Sequence, residues 1–487
     1  MNTVFILSDR HNAEFAGCYG NTITRTPNMD ALAETGLRFE SAYCVSPICS
    51  PTRAAMMTGR YVHEIGVWDN AFTYGGDHEG WGRHFSSSGV RFATIGKLDF
   101  CPGSDCGIQE SYLATHRDKL DIHSLFREEE ILPRDDLFRR HLETGPTDSI
   151  CAYSEDHEVA ERASRWLEVE RPADEPWVLF VNFNNLHRPW HPPEDLWDHY
   201  DPLVVLDELD ERFTEDLSRL HPYHRIFIRH HNGERLGGET MRRALVGYHA
   251  SCEVLDGHVG QVLEAIDRAG IREETMLIYA SDHGGACGEH RNWDHGATYE
   301  ESIRCPMILN GPDIRSGEVE ASVVSMLDVF PTVCESVGSC LPRDIRGQSL
   351  LGLARGEGGV IARDVALTEY HGAGMPGSAF SVRSGRHKFV ECVGERPMLF
   401  DLEEDPHEMS DLVVDSVDDP AVHRTIEQMR GILEAICDPG EIDNRVKRDQ
   451  RVRRHELART GQLYQEMWKR GYERRSDQLV PRNQEFR

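Results

Sequence analysis

Thr3-Val4-Phe5-Ile6-Leu7-Ser8-Asp9 decides the fold. Five apolar or β-branched residues run without alternation and stop at a serine and a carboxylate. A strand with one face in water alternates polar and apolar residues. An unbroken run belongs to a strand buried on both faces, as in parallel sheets covered by helices. The pattern recurs along the chain. Residues 91–95 lead into Gly96-Lys97-Leu98-Asp99, 177–183 into Asn184-Asn185-Leu186-His187, and 275–280 into Ser281-Asp282-His283, and 305–309 form a further run. Between them, 155–169 and 239–269 carry apolar residues at helical spacing. Strands alternating with helices predict an α/β fold with a doubly wound, mostly parallel sheet. Residues 100–150 read as irregular loops over the site, and 190–237 as an insertion.

After about residue 360 the pattern changes. Strand-like runs near 365–369, 379–383, 387–392 and 398–402 have few helices between them, and 419–436 reads as one helix. That is the α+β habit and predicts a smaller antiparallel sheet. The expected organisation is a catalytic domain over 1–360, a C-terminal subdomain over 361–440 and a basic tail over 441–487. The tail holds 13 Lys and Arg against 8 Asp and Glu, a net of +5, while the whole chain carries −30. A shift of that kind marks a separate segment.

The overall acidity excludes a general nucleic-acid binder, and an anionic substrate must be drawn in by local cations. No run of 18 apolar residues exists to span a membrane. The segment 3–7 is too short for the apolar core of a signal peptide and no basic stretch precedes it, so the expected compartment is the cytoplasm. The 13 cysteines are odd in number and scattered without zinc spacing, which predicts reduced thiols.

In open α/β sheets ligands bind beyond the carboxyl ends of the strands. Here those ends carry Asp9, Lys97, His187 and Asp282-His283. A sixth stretch, Cys49-Ser50-Pro51-Thr52-Arg53-Ala54-Ala55-Met56-Met57-Thr58-Gly59, turns helical, with Pro51 suited to the first turn and Gly59 to a C-cap. Cys49 therefore sits at a helix N-terminus, an electropositive position, with Arg53 one turn on. Carboxylates for a divalent metal beside cations for an anion equip an ester hydrolase acting on a sulfuryl or phosphoryl group.

The string Cys-x-Pro-x-Arg followed by x4-Thr-Gly resembles the sulfatase signature, in which the cysteine is oxidised to Cα-formylglycine. Phe5 to Asp9 with Gly17-Cys18-Tyr19-Gly20, then Gly96-Lys97, Asp282-His283-Gly284 with Gly288-Glu289-His290, and Leu399-Phe400-Asp401-Leu402 resemble further family segments in the same order. The resemblance implies the alkaline-phosphatase-like fold. It implies that Asp9, Asp282, His283 and the formylglycine from Cys49 bind one divalent cation. Hard oxygen ligands suit Ca2+, and histidine at 283 in place of asparagine admits Mn2+. It also implies the chemistry. The hydrated aldehyde attacks sulfur through one hydroxyl and expels sulfate through the other. Arg53 and Lys97 stabilise charge on the transferring group, and His187 holds a sulfate oxygen or assists the leaving alkoxide. Asn70 matches an anion-contacting asparagine of the phosphonate-hydrolase branch, and His295 stands where the family has an anion-binding lysine.

Three positions depart from the family. Arg10 replaces a metal ligand and cannot bind a cation, so either the metal loses a protein ligand or Arg10 turns outward. Asp99 and His295 replace a histidine and a lysine. The reading is a sulfuric ester hydrolase taking a small anionic ester, matured by a formylglycine-generating enzyme. The alternatives are a phosphonate monoester or phosphodiester hydrolase and a degenerate, non-catalytic homologue. Gln450-Arg451-Val452-Arg453-Arg454 and Pro481-Arg482-Asn483 resemble the tail of choline-sulfatase-like members, implying an arm that crosses to a second subunit of a homo-oligomer.

Overall fold

The 3–7 run is the middle of β1 (Asn2–Ser8) in a computed structural model that describes residues 1–128, 131, 133–148, 153–293, 295–357 and 363–469. The large sheet adds β2 (Leu37–Tyr43), β3 (Arg91–Lys97), β4 (Glu110–Thr115), β5 (Trp177–Asn182), β6 (Thr275–Ser281), β7 (Arg304–Asn310) and β8 (Glu318–Ser325). Its order is β4-β3-β5-β1-β6-β7-β2-β8. β7 pairs antiparallel with both neighbours, and every other pairing is parallel. The fold is the mostly parallel, helix-covered sheet expected.

Both faces of β1 are buried. Phe5 and Leu7 join a core that includes Ala54, Ala55 and Met57 of α1 (Cys49–Thr58). Val4 and Ile6 face the other way. Their core includes Val159 and Ala163 of α2 (Ser154–Arg165) and Ala244 and Val259 of α3 (Gly238–Arg268). Each large apolar side chain so buried contributes roughly 1.5–3 kcal/mol, and the run's one polar member, Thr3, is buried with its Oγ1 2.6 Å from Ser336 Oγ. Within the sheet, Phe5 lies between Phe180 of β5 and Ile278 of β6, its ring stacked on Phe180 at 4.8 Å.

Residues 100–150 are more regular than expected. β4 forms the sheet edge there, and a helix spans Asp135–Leu142. An edge strand needs no continuous apolar run, and β4 alternates half-buried and exposed residues, so its sequence lacks the signal of the central strands. The region 190–237 likewise holds helices at Glu194–Tyr200 and Pro222–His230.

The small sheet comprises β9 (Val365–Tyr370), β10 (Ala379–Ser384), β11 (His387–Cys392) and β12 (Met398–Asp401), in sequential antiparallel order. Leu433 and Met429 of α4 (Pro420–Ile436) pack with Phe380, Phe389 and Leu399. β9 also ties the two sheets together. Thr368 Oγ1 donates to Cys44 O at 2.6 Å and Glu369 N to Val45 O at 2.8 Å, just before the signature helix.

Two further helices follow, α5 (Pro439–Arg459) and α6 (Gln462–Lys469), broken at Gly461 (φ 74°). They pack on their own chain. Val446 joins the main core, and Leu457 and Leu463 cluster with Leu120, Ile122, Leu125 and Phe126. These apolar residues of the tail are thus covered within one chain. Residues 470–487, with Pro481-Arg482-Asn483, lie outside the described residues. Among the described residues no helix is long and apolar enough to cross a membrane.

One buried histidine gives the fold a defined acid lability. His249 on α3 meets Thr24 Oγ1 through Nδ1 at 2.7 Å and lies between Phe15 and Tyr200. Burial pushes its pKa down to about 3. A histidine that binds its proton more weakly folded than unfolded adds stability above about pH 6.5, and this is lost as pH falls toward the folded value. Between pH 7 and pH 5 that loss is about 2 kcal/mol. His249→Gln should therefore lose less stability than wild type over this interval, read by denaturant titration at the two pH values. An equal loss in both proteins would refute the assignment.

Candidate active site

β3, β5, β1 and β6 are consecutive in the sheet, so their carboxyl ends open on one place. β1 delivers Asp9, β3 delivers Lys97, and β6 delivers Asp282 and His283. The turn after β5 delivers His187, and its backbone is held by Asp156 of α2, whose carboxylate accepts from Asn184 N at 2.7 Å and Asn185 N at 2.6 Å. α1 is aimed at the same spot, with Cys49 as its first residue and all ten of its residues buried.

The N-terminus of α1 has no cap from its own Ile48. Asn70 supplies one from another loop, its Oδ1 accepting from Ser50 N at 3.0 Å. This satisfies one of the amides that a helix start leaves open. Thr52 Oγ1 donates to Asp282 O at 3.2 Å and fixes the helix to the end of β6.

Ligand atoms of Asp9, Cys49, Asp282 and His283 all lie within 4.8 Å of one another. His283 Nδ1 lies 2.7 Å from Gly284 O and Nε2 3.4 Å from Cys49 Sγ. A carbonyl only accepts, so Nδ1 carries the proton and Nε2 faces the cluster. Burial opposes a charge on His283, but Asp282 and Cys49 beside it raise its pKa to about 9. Burial likewise opposes the charge on Asp9, yet Lys97, His283 and Arg53 hold its carboxyl well below the ordinary range. Asp9 Oδ1 is buried and accepts no hydrogen bond among the described residues. Two carboxylates, one with an unbonded oxygen 3.6 Å from Arg10 Nε, and an imidazole whose Nε2 proton a cation would displace fit a divalent cation.

Arg53 is turned toward the carboxylates. Its Nε donates to Asp282 Oδ2 at 2.8 Å, Nη1 to Lys97 O at 2.7 Å and to Asn182 Oδ1 at 3.2 Å, and Nη2 lies 3.7 Å from Asp9 Oδ2. It joins the ends of β1, β3, β5 and β6. Lys97 Nζ contacts Asp9 and lies 3.9 Å from Cys49 Sγ. Burial works against its charge, but Asp9, then Cys49 and Asp99, raise its pKa above the ordinary lysine value.

Arg10 does not turn outward. It takes a left-handed backbone (φ 60°), its N–H donates to Asp282 Oδ1 at 3.2 Å, and the residue is 6% exposed. Nη2 lies 3.2 Å from His295 Nε2 and 3.5 Å from His187 Nε2. A guanidinium only donates, so both nitrogens present lone pairs to it. His187 Nδ1 in turn lies 3.2 Å from Arg188 O. Burial, then Arg10 and Lys97, keep the His187 pKa well below the ordinary histidine value. In this arrangement His187 orients a cation and is not poised to donate a proton from Nε2. The His295 ring stacks on His283, 4.9 Å between centroids and 9° from parallel.

Asp99 also acquires a partner that the sequence did not announce. Arg117, from the loop after β4, contacts Asp99 through Nη2 and lies 3.3 Å from Ser50 Oγ through Nε. The missing histidine is thus replaced by an aspartate that holds an arginine beside Cys49. Only the edge strand β4 brings Arg117 there, and its weak sequence signal hid it. A cleft of about 600 Å³ opens over these groups, lined near the cluster by Arg10, Asn70, Arg117, His187 and His295.

A sulfatase family model matches residues 1–339, and a model of the N-sulphoglucosamine sulphohydrolase C-terminal region matches residues 288–437. Arylsulfatase K of Homo sapiens is 27% identical over 436 residues, covering 85% of this chain and 79% of that protein. The choline-sulfatase of Rhizobium meliloti (strain 1021) is 27% identical over 478 residues, covering 95% of this chain and 92% of that protein. Among solved structures, a protein in complex with its substrate D-Glucosamine-2-N, 6-O-disulfate superposes with a TM-score of 0.71 at 20% identity, covering 90% of this chain and 99% of that one. The phosphonate monoester hydrolase of Agrobacterium radiobacter gives 0.70 at 20% identity, with 89% and 95% covered.

Proposed function

This chain belongs to the sulfatase family and is a sulfuric ester hydrolase, and from that premise we propose that it releases sulfate from a small sulfate monoester with Cys49 as its Cα-formylglycine. The observation that carries this reading is the convergence of Asp9, Asp282 and His283 on Cys49 at the start of a buried helix. Converted, Cys49 would supply an aldehyde hydrate, one hydroxyl of which would displace the ester's alcohol from sulfur, the alcohol taking up a proton, while the other would lose its proton and re-form the aldehyde with release of sulfate. Asp9, Asp282, His283 and the oxygen of the converted residue would hold one divalent cation, Ca2+ or Mn2+, which supplies positive charge at the attacked group. Arg53 keeps the two carboxylates in register and offsets their charge. Lys97 stays protonated against Asp9 and Cys49 and stabilises negative charge on the transferring oxygens. Asn70, with its Oδ1 held by Ser50 N, has its amide N–H2 left to donate to a sulfate oxygen.

The departures from the family are compensated within the site. Arg10 and Arg117 place two guanidinium groups on the cleft where the family has a metal ligand and a histidine. Arg10, oriented by His187 and His295, donates to the sulfate group or to the oxygen that leaves. Charged hydrogen bonds of this kind contribute about 1.5–3 kcal/mol. Arg10→Gln should accordingly lower kcat/KM for an aryl sulfate by about 10- to 100-fold. An unchanged kcat/KM would remove Arg10 from the substrate. The reading as a whole is tested by assaying purified protein with matched aryl sulfate and aryl phosphonate esters. Faster sulfate hydrolysis supports it, and faster phosphonate hydrolysis overturns the substrate assignment.

A further inference from the structure

The C-terminal helix α5 grips the loop that carries Asn70 at three successive points. Trp68 Nε1 donates to Asp449 Oδ2 at 3.1 Å, Gln450 Nε2 to Asp69 Oδ2 at 2.7 Å, and Arg453 Nε to Ala71 O at 3.3 Å. Residues 449, 450 and 453 share one face of a helix. The central contact is fully enclosed, with Gln450 2% and Asp69 0% exposed. The Gln450 amide has every group engaged, since Nε2 also donates to His371 O at 3.0 Å and Oε1 accepts from Arg127 Nη1 at 3.4 Å. A side chain so constrained fixes its neighbour.

The contact runs on to the catalytic helix. Asp69 Oδ1 accepts from Ala71 N at 2.7 Å, closing a tight turn whose middle residue is Asn70. Asp121 N donates to Asn70 O at 2.9 Å. The turn aims Asn70 Oδ1 at Ser50 N, one residue past Cys49. Burial pushes the Asp69 carboxyl up to about 7, and the Gln450 amide leads the contacts that pull it back. Without that amide a buried carboxylate would keep only the turn's own N–H, and an under-satisfied buried group costs enough to rearrange a short loop.

We propose that Gln450 is a positioning residue of the active site, acting through Asp69 to set the Asn70 amide between the start of the catalytic helix and the substrate sulfate. The C-terminal helix is on this account part of the catalytic machinery, although no residue of α5 reaches the reacting atoms. The proposal rests on the reading above that Asn70 touches the sulfate group.

The test is a double-mutant cycle on the full chain, using Gln450→Leu, Asn70→Ala and the pair, with para-nitrophenyl sulfate as substrate and inorganic sulfate as competitor. Melting curves establish that each variant is folded, and Gln450→Met takes the place of Gln450→Leu if the latter does not fold. Each single change should raise KM and the inhibition constant of sulfate by about tenfold, with metal content unchanged, and the pair should be no worse than Asn70→Ala alone. A merely structural Gln450 would lower the melting temperature and leave KM in place, and that result overturns the proposal. Effects that multiply independently in the pair overturn it as well. If Asn70→Ala alone leaves KM and sulfate inhibition unchanged, the assignment of Asn70 to the substrate fails, and the positioning role falls with it.

Discussion

Replacing Cys49 by alanine is expected to reduce turnover by a factor on the order of ten thousand or more, because it removes the reacting group itself. The same change should scarcely disturb the fold. Cys49 is 1% exposed, and its Sγ lies 3.4 Å from His283 Nε2 and 3.9 Å from Lys97 Nζ, polar groups of the site. Alanine keeps the helix start and leaves both the Asn70 cap on Ser50 and the Arg53 bridge to Asp282 intact. Loss of one buried sulfur costs about 1 kcal/mol. The variant should therefore bind sulfate and melt close to wild type while failing to turn over. Near-normal hydrolysis of an aryl sulfate by Cys49→Ala would show that some other group attacks.

Asp282→Asn carries the second large effect. The Asp282 carboxylate accepts from Arg53 Nε, Arg10 N and His283 N, and its side chain is wholly buried. Asparagine keeps the shape but removes a negative charge from a cluster that must balance a divalent cation, and one of its two oxygens becomes a donor facing Arg53. Metal affinity should fall by at least about 100-fold, with activity regained only at high Ca2+ or Mn2+. Wild type dialysed against a chelator should lose activity and recover it on adding either ion. The metal itself can be measured by elemental analysis of the two proteins. Equal metal content and equal activity in Asp282→Asn would remove the cation from Asp9, Asp282 and His283.

The parts of the molecule legible in the sequence are those fixed by burial on both faces. β1, β3, β5 and β6 carry apolar runs because helices cover them on each side, and their carboxyl ends pointed to Asp9, Lys97, His187 and Asp282. Cys49 is legible through the resemblance of its eleven-residue string to the sulfatase signature, since a helix start alone marks only an electropositive thiol. What stayed hidden depends on contacts between segments far apart in sequence. Arg117 reaches Asp99 only because β4 lies at the sheet edge beside β3. The inward turn of Arg10 depends on two histidines 177 and 285 residues away. The tail's charge is plain in the sequence, whereas its placement is decided by a few apolar residues and by Gln450, a residue with no periodicity to announce it. His187 shows the same limit. Its position at a strand end was legible, but its protonation is set by Arg10, which only the folded chain brings near.

Turnover depends on the chemical state of one side chain, Cys49. The most direct measurement is the mass of the proteolytic peptide carrying Cys49, taken from protein produced with a formylglycine-generating enzyme and compared with the specific activity of the same preparation. The account predicts that a fraction of the peptide has the CH2–SH of cysteine replaced by an aldehyde, and that sulfate ester turnover rises in proportion to that fraction. A preparation in which the peptide is wholly unmodified cysteine, yet which hydrolyses the ester at full rate, would contradict it.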